Sequence, residues 1–354
     1  MIEANLSLMR RQLLNWYRQS RRDLPWRRSR DPYAIWISET MLQQTQVKTV
    51  LPYYGRFMTA FPTVQSLARA PLHRVLRLWS GLGYYRRAEN LHKAARQIVR
   101  QYDGIVPRDY ARLRALPGIG DYTAGALLSI AFGEKYPAID GNVRRVVGRL
   151  VVTKSNEEIH TYAAQLAKTS QPGNLNQALM ELGATVCTPS EPDCDNCPVA
   201  AHCRSRSQPG QRLAKAPRAK VTFREVTWPL AIVNYRGKIL LRRRQADGLL
   251  AKLWELPGAE IEPTAKPEAV IKKELTPLSV TGLVAQRLGE LRHSITNQRI
   301  HAPVLLYRWP MNKRAPQDKP EWRWILPSEL HRYATSSMTS KAVKIFIDYE
   351  KSFA

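Results

Sequence analysis

The sequence predicts two domains of different class: an all-α domain over residues 1–205 and an α+β domain over residues 221–354, joined by a basic linker at 206–220. Three observations predict it. Through Ile35–Val50, Val75–Leu82 and Leu91–Val99 the apolar residues recur at three- and four-residue spacing, the period of helices that bury one face. Strand-like runs gather in the second half, at Val226–Tyr235, Lys238–Leu241 and His301–Trp309. Between the halves, RSQPGQRLAKAPRAK carries five basic residues, no acidic ones, two prolines and a glycine, which is a linker composition.

Each later element has a local reason. Arg236-Gly237 marks a turn between the first two strand runs. Pro303 predicts that the third run is an edge strand or carries a bulge, because proline cannot donate to a ladder. Helical patterns at Lys266–Leu275 and Ser340–Tyr349 make this half α+β. The 354 residues suffice for two cores, and 44% hydrophobic content is that of a globular chain.

Fifty-five Lys and Arg against 29 Asp and Glu give a formal charge of +26, which predicts attraction to a polyanion, either nucleic acid or an anionic membrane surface. No apolar run approaches membrane-spanning length, which disfavours the membrane. Leu6–Met9 is interrupted by Arg10 and Arg11, so a secretory apolar segment is lacking and a cytoplasmic location is expected.

All four cysteines, Cys187, Cys194, Cys197 and Cys203, fall in one window spaced C-x6-C-x2-C-x5-C. Four crowded thiols without a signal peptide point to a metal centre rather than a disulfide framework. Tetrahedral zinc and a cubane iron-sulfur cluster both accept four thiolates. Zinc folds pair two C-x2-C units, and Cys194 with Cys197 makes one, so [4Fe-4S] is favoured while the spacing leaves zinc open.

Leu116-Pro117-Gly118-Ile119-Gly120-Asp121-Tyr122-Thr123 lies between an amphipathic stretch (Tyr110, Leu113, Leu116) and a small-residue helix from Ala124 to Phe132. Two glycines two apart permit a tight turn and a close backbone approach, leaving amides at a helix start for a phosphate; a plain inter-helix turn has the same pattern. Asp140, before Gly141-Asn142, is placed first of all to cap a helix, with chemistry as the alternative. Glu39 stands alone on the apolar, amide-rich stretch Trp36–Thr45, where a solvated surface position is the ordinary alternative.

Together with Arg22-Asp23-Leu24-Pro25-Trp26, Gly81-Leu82-Gly83-Tyr84-Tyr85 and the run Asn176–Ala184, these motifs resemble the helix-hairpin-helix DNA glycosylases, and within them the MutY adenine glycosylases, over most of the chain. The resemblance implies an all-α helix-hairpin-helix glycosylase domain with an iron-sulfur loop, followed by a Nudix-like (MutT-like) α+β domain. The implied activity is base excision repair: monofunctional hydrolysis of the N-glycosidic bond of adenine mispaired with 8-oxoguanine or guanine in double-stranded DNA.

The residue roles follow by resemblance. Adenine flipped from the duplex is protonated by Glu39, whose carboxyl must keep its proton near neutral pH, while an ionised Asp140 stabilises the developing sugar cation. Tyr122 and Asn142 are their implied hydrogen-bonding partners. Arg22, Trp26 and Glu181 are expected to form the adenine pocket. Gln44 and Tyr84 are expected to enter the stack, with Thr45 and Leu82 beside the orphan base and Gly118 and Gly120 on a phosphate; Tyr84 as a packing aromatic is the alternative. Endonuclease III relatives place a Schiff-base lysine at the position of Tyr122, which predicts weak lyase activity at most.

In the second domain the acidic REUXEEXGU array of a hydrolysing Nudix enzyme is missing. Lys272-Lys273-Glu274 stands there instead, which predicts a binding role. The family's Phe-Ser-His loop corresponds to Ile295-Thr296-Asn297, the expected mismatch-recognition site, in which Thr296 can accept from the 8-oxoguanine N7–H; a polar hairpin turn is the alternative reading. A monomer is expected. Two other functions fit in part: a bifunctional endonuclease III-like glycosylase/lyase, and a non-enzymatic iron-sulfur DNA-binding protein.

Overall fold

The computed structural model describes residues 2–207, 222–245, 250–262, 265–278, 283–312 and 315–353. The chain divides into two compact units, one formed by Met1–Ala70 and Arg86–Arg218, the other by Pro71–Tyr85 and Ala219–Ala354. Most of the expected linker, from residue 208 onward, lies outside the described residues. Among the described residues no helix is long and apolar enough to cross a membrane.

The first half of the chain is helical: α1 (Ile2–Ser20), α2 (Pro32–Leu42), α3 (Val47–Ala60), α4 (Val64–Arg69), α5 (Leu72–Trp79), α6 (Arg86–Gln101), α7 (Tyr110–Arg114), α8 (Asp121–Ala126), α9 (Gly141–Val151), α10 (Asn156–Ala167), α11 (Pro172–Thr185) and α12 (Arg204–Ser207). Helix α5 belongs to the second unit. Leu6, Met9, Leu13 and Tyr17 of α1 pack with Val143, Val147 and Leu150 of α9, Ile159 of α10 and Leu175, Leu179 and Leu182 of α11. These are three- and four-residue stripes meeting in one core.

Helix α2 differs from its neighbours. Every residue from Tyr33 to Met41 is buried, so the helix is enclosed on all sides and carries Glu39 inward with it. The surface position open to Glu39 from sequence is therefore not the one it occupies: 6% of the residue is exposed. The small-residue stretch after the glycine turn is α-helical to Ala126 and then forms a π-helical turn over Leu127–Ala131.

The second unit holds a seven-stranded mixed sheet of β1 (Arg224–Thr227), β2 (Leu230–Tyr235), β3 (Lys238–Arg243), β4 (Trp254–Glu255), β5 (Ala285–Ile295), β6 (Gln298–Arg308) and β7 (Trp322–Ile325). Helix α14 (Ser337–Lys351) covers one face through Met338, Ala342, Val343 and Phe346. Helix α13 (Pro267–Leu275) covers the other through Ile271 and Leu275. Leu230 and Ile232 face one layer and Ala231 and Val233 the other, as strand alternation requires. Arg236 (φ 49°) and Gly237 (φ 77°) form the β2–β3 hairpin turn.

Of the two alternatives that Pro303 opened, the edge is corrected and the bulge is met by a register shift in the β5–β6 pairing, between Arg287 and Gly289 opposite Leu305 and Val304. Strand β6 is interior, with β5 antiparallel to it on one side and β1 and β2 parallel on the other, so Pro303 does not mark an edge. The parallel register passes from Thr227↔His301 to Leu230↔Val304, leaving Ala302 and Pro303 opposite Trp228 and Pro229 without a pairing. The missing amide thus falls where the ladder is already interrupted.

Candidate active site

Helix α2 enters from Asp31, whose side chain accepts from Tyr33 N–H, and Pro32 supplies its first turn. Two turns later Glu39 points into a cavity of about 1010 Å³ that is also lined by Arg22, Trp26, Gln44, Thr45, Tyr122, Asp140, Asn142 and Glu181. Glu39 and Asp140, their expected partners Tyr122 and Asn142, and the three expected pocket residues therefore share one chamber within the first unit.

Tyr122 follows Gly120, the N-cap of α8, by two residues, so the glycine turn and the tyrosine are positioned together. Gly118 (φ 80°) needs to be glycine twice over: its backbone is left-handed, and a Cβ would lie 2.9 Å from Asn90 Cβ. Gly120 faces open space.

The two carboxylates have different surroundings. Burial pushes Glu39 up to about 7; the Tyr122 hydroxyl, which donates to Oε2, opposes this, and the nearby Asp140 adds to it. Asp140 is also raised by burial, but Val143 N–H donates to Oδ1 at 2.7 Å and Asn142 Nδ2 to Oδ2 at 2.9 Å, and both oppose the rise. Both Asp140 oxygens accept, which suits the ionised form, whereas Oε1 of Glu39 remains open to a proton. Asp140 is the N-cap of α9, as its position predicts, and also forms part of the cavity wall.

Glu181 has no exposed side-chain surface. Burial alone would raise it, yet Arg22 Nε and Nη2, at 2.7 and 2.8 Å, and Arg27 Nη2, at 2.8 Å, hold it down at about 2. One chamber thus contains two glutamates displaced in opposite directions.

Several positioning residues had no role assigned from sequence. Arg87 donates from Nη1 to the carbonyls of Thr40, Met41 and Gln43 and from Nη2 to Thr45 Oγ1, fixing the end of α2 and the Gln44 turn, where φ is 55°. Asn176, 1% exposed, accepts from Ala138 N–H and donates to Tyr136 O and Ser129 Oγ, setting the approach to Asp140. Arg145 Nη2 donates to Asn142 Oδ1 and Gly183 O, and its Nε to Cys187 O. Lys48 also lines the cavity.

The remaining expected residues lie in the second unit. Leu82 is 5% exposed and Tyr84 50% exposed, with Tyr84 at φ 49°. Thr296 (φ 53°) and Asn297 form the exposed two-residue tip of the β5–β6 hairpin, while Ile295 packs against the α14-side core. Where a hydrolysing Nudix site would gather acids, Arg242 forms ion pairs with Glu255 and Glu274.

The four thiols converge on a second cavity in the first unit, about 500 Å³ in volume, shared with Arg149 and Arg206. Arg149 Nη1 lies 3.2 Å from Cys187 Sγ. Burial, with the nearness of the other three sulfurs, pushes Cys197 up to about 11. Among the described residues no three His, Cys, Asp or Glu side chains form a single-ion site.

Residues 37–171 match the model of the HhH-GPD superfamily of base excision DNA repair proteins, and residues 229–344 match the NUDIX domain. The fold and the chamber define a DNA N-glycosylase of that superfamily. Across 98% of its length the chain is 37% identical to the adenine DNA glycosylase of Rattus norvegicus, covering 80% of that protein. It is 36% identical to the Homo sapiens adenine DNA glycosylase over 97% of its length and 74% of that protein. A solved thermostable thymine-DNA glycosylase is 29% identical with a TM-score of 0.55, covering 58% of this chain and 98% of that one. Endonuclease III trapped on DNA, at 23% identity and a TM-score of 0.51, shares the fold over 59% of this chain and 99% of that one. The chain belongs to the adenine DNA glycosylase family.

Proposed function

We propose that this base excision repair glycosylase, acting as a monomer, hydrolyses the N-glycosidic bond of adenine mispaired with 8-oxoguanine or guanine. The observation that carries the reading is the shared chamber, which places a buried carboxyl able to hold a proton near neutrality and Asp140, both of whose oxygens accept hydrogen bonds, on one cavity with space for a nucleobase. Glu39 donates its proton to the departing adenine, and Tyr122 holds that acid in place. Asp140, fixed by Val143 and Asn142, stabilises the cationic sugar until water adds. Arg22, Trp26 and Glu181 shape the pocket. Gln44, Thr45, Leu82, Tyr84, Gly118 and Gly120 are assigned to the DNA.

The test is a duplex with one adenine opposite 8-oxoguanine, incubated with the protein and then treated with alkali. Scission at that adenine is expected, and its absence at enzyme excess would refute the reading. No amine stands at position 122, so hydrolysis without strand cleavage is expected. Stoichiometric borohydride trapping on DNA would overturn this, and Lys48→Ala would then identify whether the cavity lysine is responsible.

The convergence of Cys187, Cys194, Cys197 and Cys203 fits a [4Fe-4S] cluster held by four thiolates. Such a cluster supplies charge and holds the loop; the steps above use the chain's own residues. Iron analysis and visible charge-transfer absorption test it, and zinc in place of iron would refute it. In the second unit, preference for 8-oxoguanine is assigned to the Thr296 hydroxyl and Asn297 at the hairpin tip. An unchanged ratio of 8-oxoguanine to guanine mispair cleavage in Thr296→Ala would remove that role.

A further inference from the structure

The second unit contains Pro71–Tyr85, a stretch that lies within the helical half of the sequence, together with the sheet. Its last residues form a loop in unusual backbone geometry: Gly81, Gly83 and Tyr84 all have positive φ, at 94°, 77° and 49°. Both ends of this loop are tied to one residue. Ser80 Oγ donates to Thr335 O at 2.5 Å and accepts from Thr335 N–H at 3.3 Å. Tyr85 Oη donates to the same carbonyl at 2.8 Å and accepts from Gly81 N–H at 3.2 Å. Trp79 Nε1, donating to Gly83 O at 3.0 Å, closes the loop from within.

Thr335 is 3% exposed and stands at the start of α14, where Ser336 is the N-cap. Two residues on, Ser337 Oγ lies 3.5 Å from His293 Nε2 on β5. His293 precedes the Ile295–Asn297 hairpin tip by two residues on the same strand. The turn Thr335–Ser337 therefore touches the base of the recognition hairpin on one side and both ends of the Gly81–Tyr84 loop on the other.

We propose that Ser80 and Tyr85 are positioning residues that latch the Tyr84 loop to the turn Thr335–Ser337, so that occupation of the hairpin tip by the lesion base favours insertion of Tyr84. The inference rests on the proposed function for the roles of Tyr84 and the hairpin tip. Physically, backbone in three left-handed conformations is kept there only by its surroundings, and the four hydrogen bonds through these two side chains tie the loop's two ends to each other and to Thr335. Neither residue touches the reacting atoms. Their effect on chemistry passes through how often Tyr84 is held ready.

The test uses the full chain with Ser80→Ala and Tyr85→Phe. Each removes two of the bonds without changing backbone preference at the glycines. Two readouts are taken with wild type beside them: single-turnover adenine release opposite 8-oxoguanine and opposite guanine, and the fluorescence of 2-aminopurine next to the mispair, which rises when the stack opens. A fall of about three- to tenfold opposite 8-oxoguanine, a smaller fall opposite guanine and a weaker fluorescence rise are expected. Equal losses on both mispairs with a normal fluorescence rise, or no loss at all, would overturn the latch. Should one variant misfold, the other carries the same comparison. If wild type releases no adenine, the proposed function fails, and the fluorescence rise on binding still tests the latch.

Discussion

The hydroxyl of Tyr122 donates to Oε2 of Glu39, joining the start of α8 to the fully enclosed helix α2. The contact opposes the effect of burial on the acid and leaves its second oxygen available. Tyr122 thus serves as a hydrogen-bond donor to Glu39.

Glu39→Gln should lower adenine release by at least about a hundredfold while DNA affinity stays near wild type, because an amide cannot give up a proton to the leaving base. For wild type, the single-turnover rate should fall as pH rises through about 7, where the acid loses its proton. In Tyr122→Phe the hydrogen bond that opposes the raised pKa is gone, so the alkaline limb should move to higher pH. A limb that stays in place or moves down contradicts the contact.

Glu39 and Glu181 should give stability pH dependences in separate windows. Glu39 binds its proton more tightly folded, at about 7, than unfolded, near 4.5, so stability falls as pH rises between those values. Glu181, held at about 2, contributes stability above 4.5 that is lost as pH falls from 4.5 towards 2. Glu181→Ala, by stranding Arg27, whose side chain is 10% exposed, should cost about 3 kcal/mol in denaturant unfolding. Unfolding curves from pH 2 to 8 for wild type and the Glu181 variant check both signs.

Gly183→Ala should damage the site without touching it. A methyl there would lie 2.6 Å from Asn142 Cβ and 3.0 Å from its Cα, pressing on the residue that donates to Asp140. Displacement of order 1 Å at a reacting group can cost about a hundredfold in rate. A variant with wild-type release kinetics would show that α9 yields freely.

Arg145→Lys keeps the charge but cannot reach Asn142 Oδ1, Gly183 O and Cys187 O together. Adenine release should drop about tenfold or more, and the thermal midpoint should fall because buried carbonyls lose their donor. Iron content measured alongside the rate separates damage to the thiol loop from displacement of Asn142.

The local features of this enzyme were legible in its residues. Apolar periodicity marked the helices, the Cys187–Cys203 window marked four thiols that line one cavity, and Gly118-Ile119-Gly120 marked the turn that places Tyr122. The motif resemblance then named Glu39, Asp140 and their partners. Arg87 and Arg145 had no legible role, since one arginine among 55 basic residues has no local signature and its acceptors are mostly backbone carbonyls of other segments, and Asn176 stood in a recognised motif without a role. Pro303 marked a break in the ladder but not which kind, because whether a proline sits at an edge or at a bulge depends on the partner strands. The sequence by itself determined which helices and strands form and which side chains are available for chemistry, since those follow from short-range periodicity, turn chemistry and residue type. Tertiary structure alone decided that Glu39 sits enclosed beside Tyr122 and Asp140, and that Glu181 is pinned by arginines. Protonation state depends on the dielectric and on charges brought near by packing, which no spacing along the chain specifies.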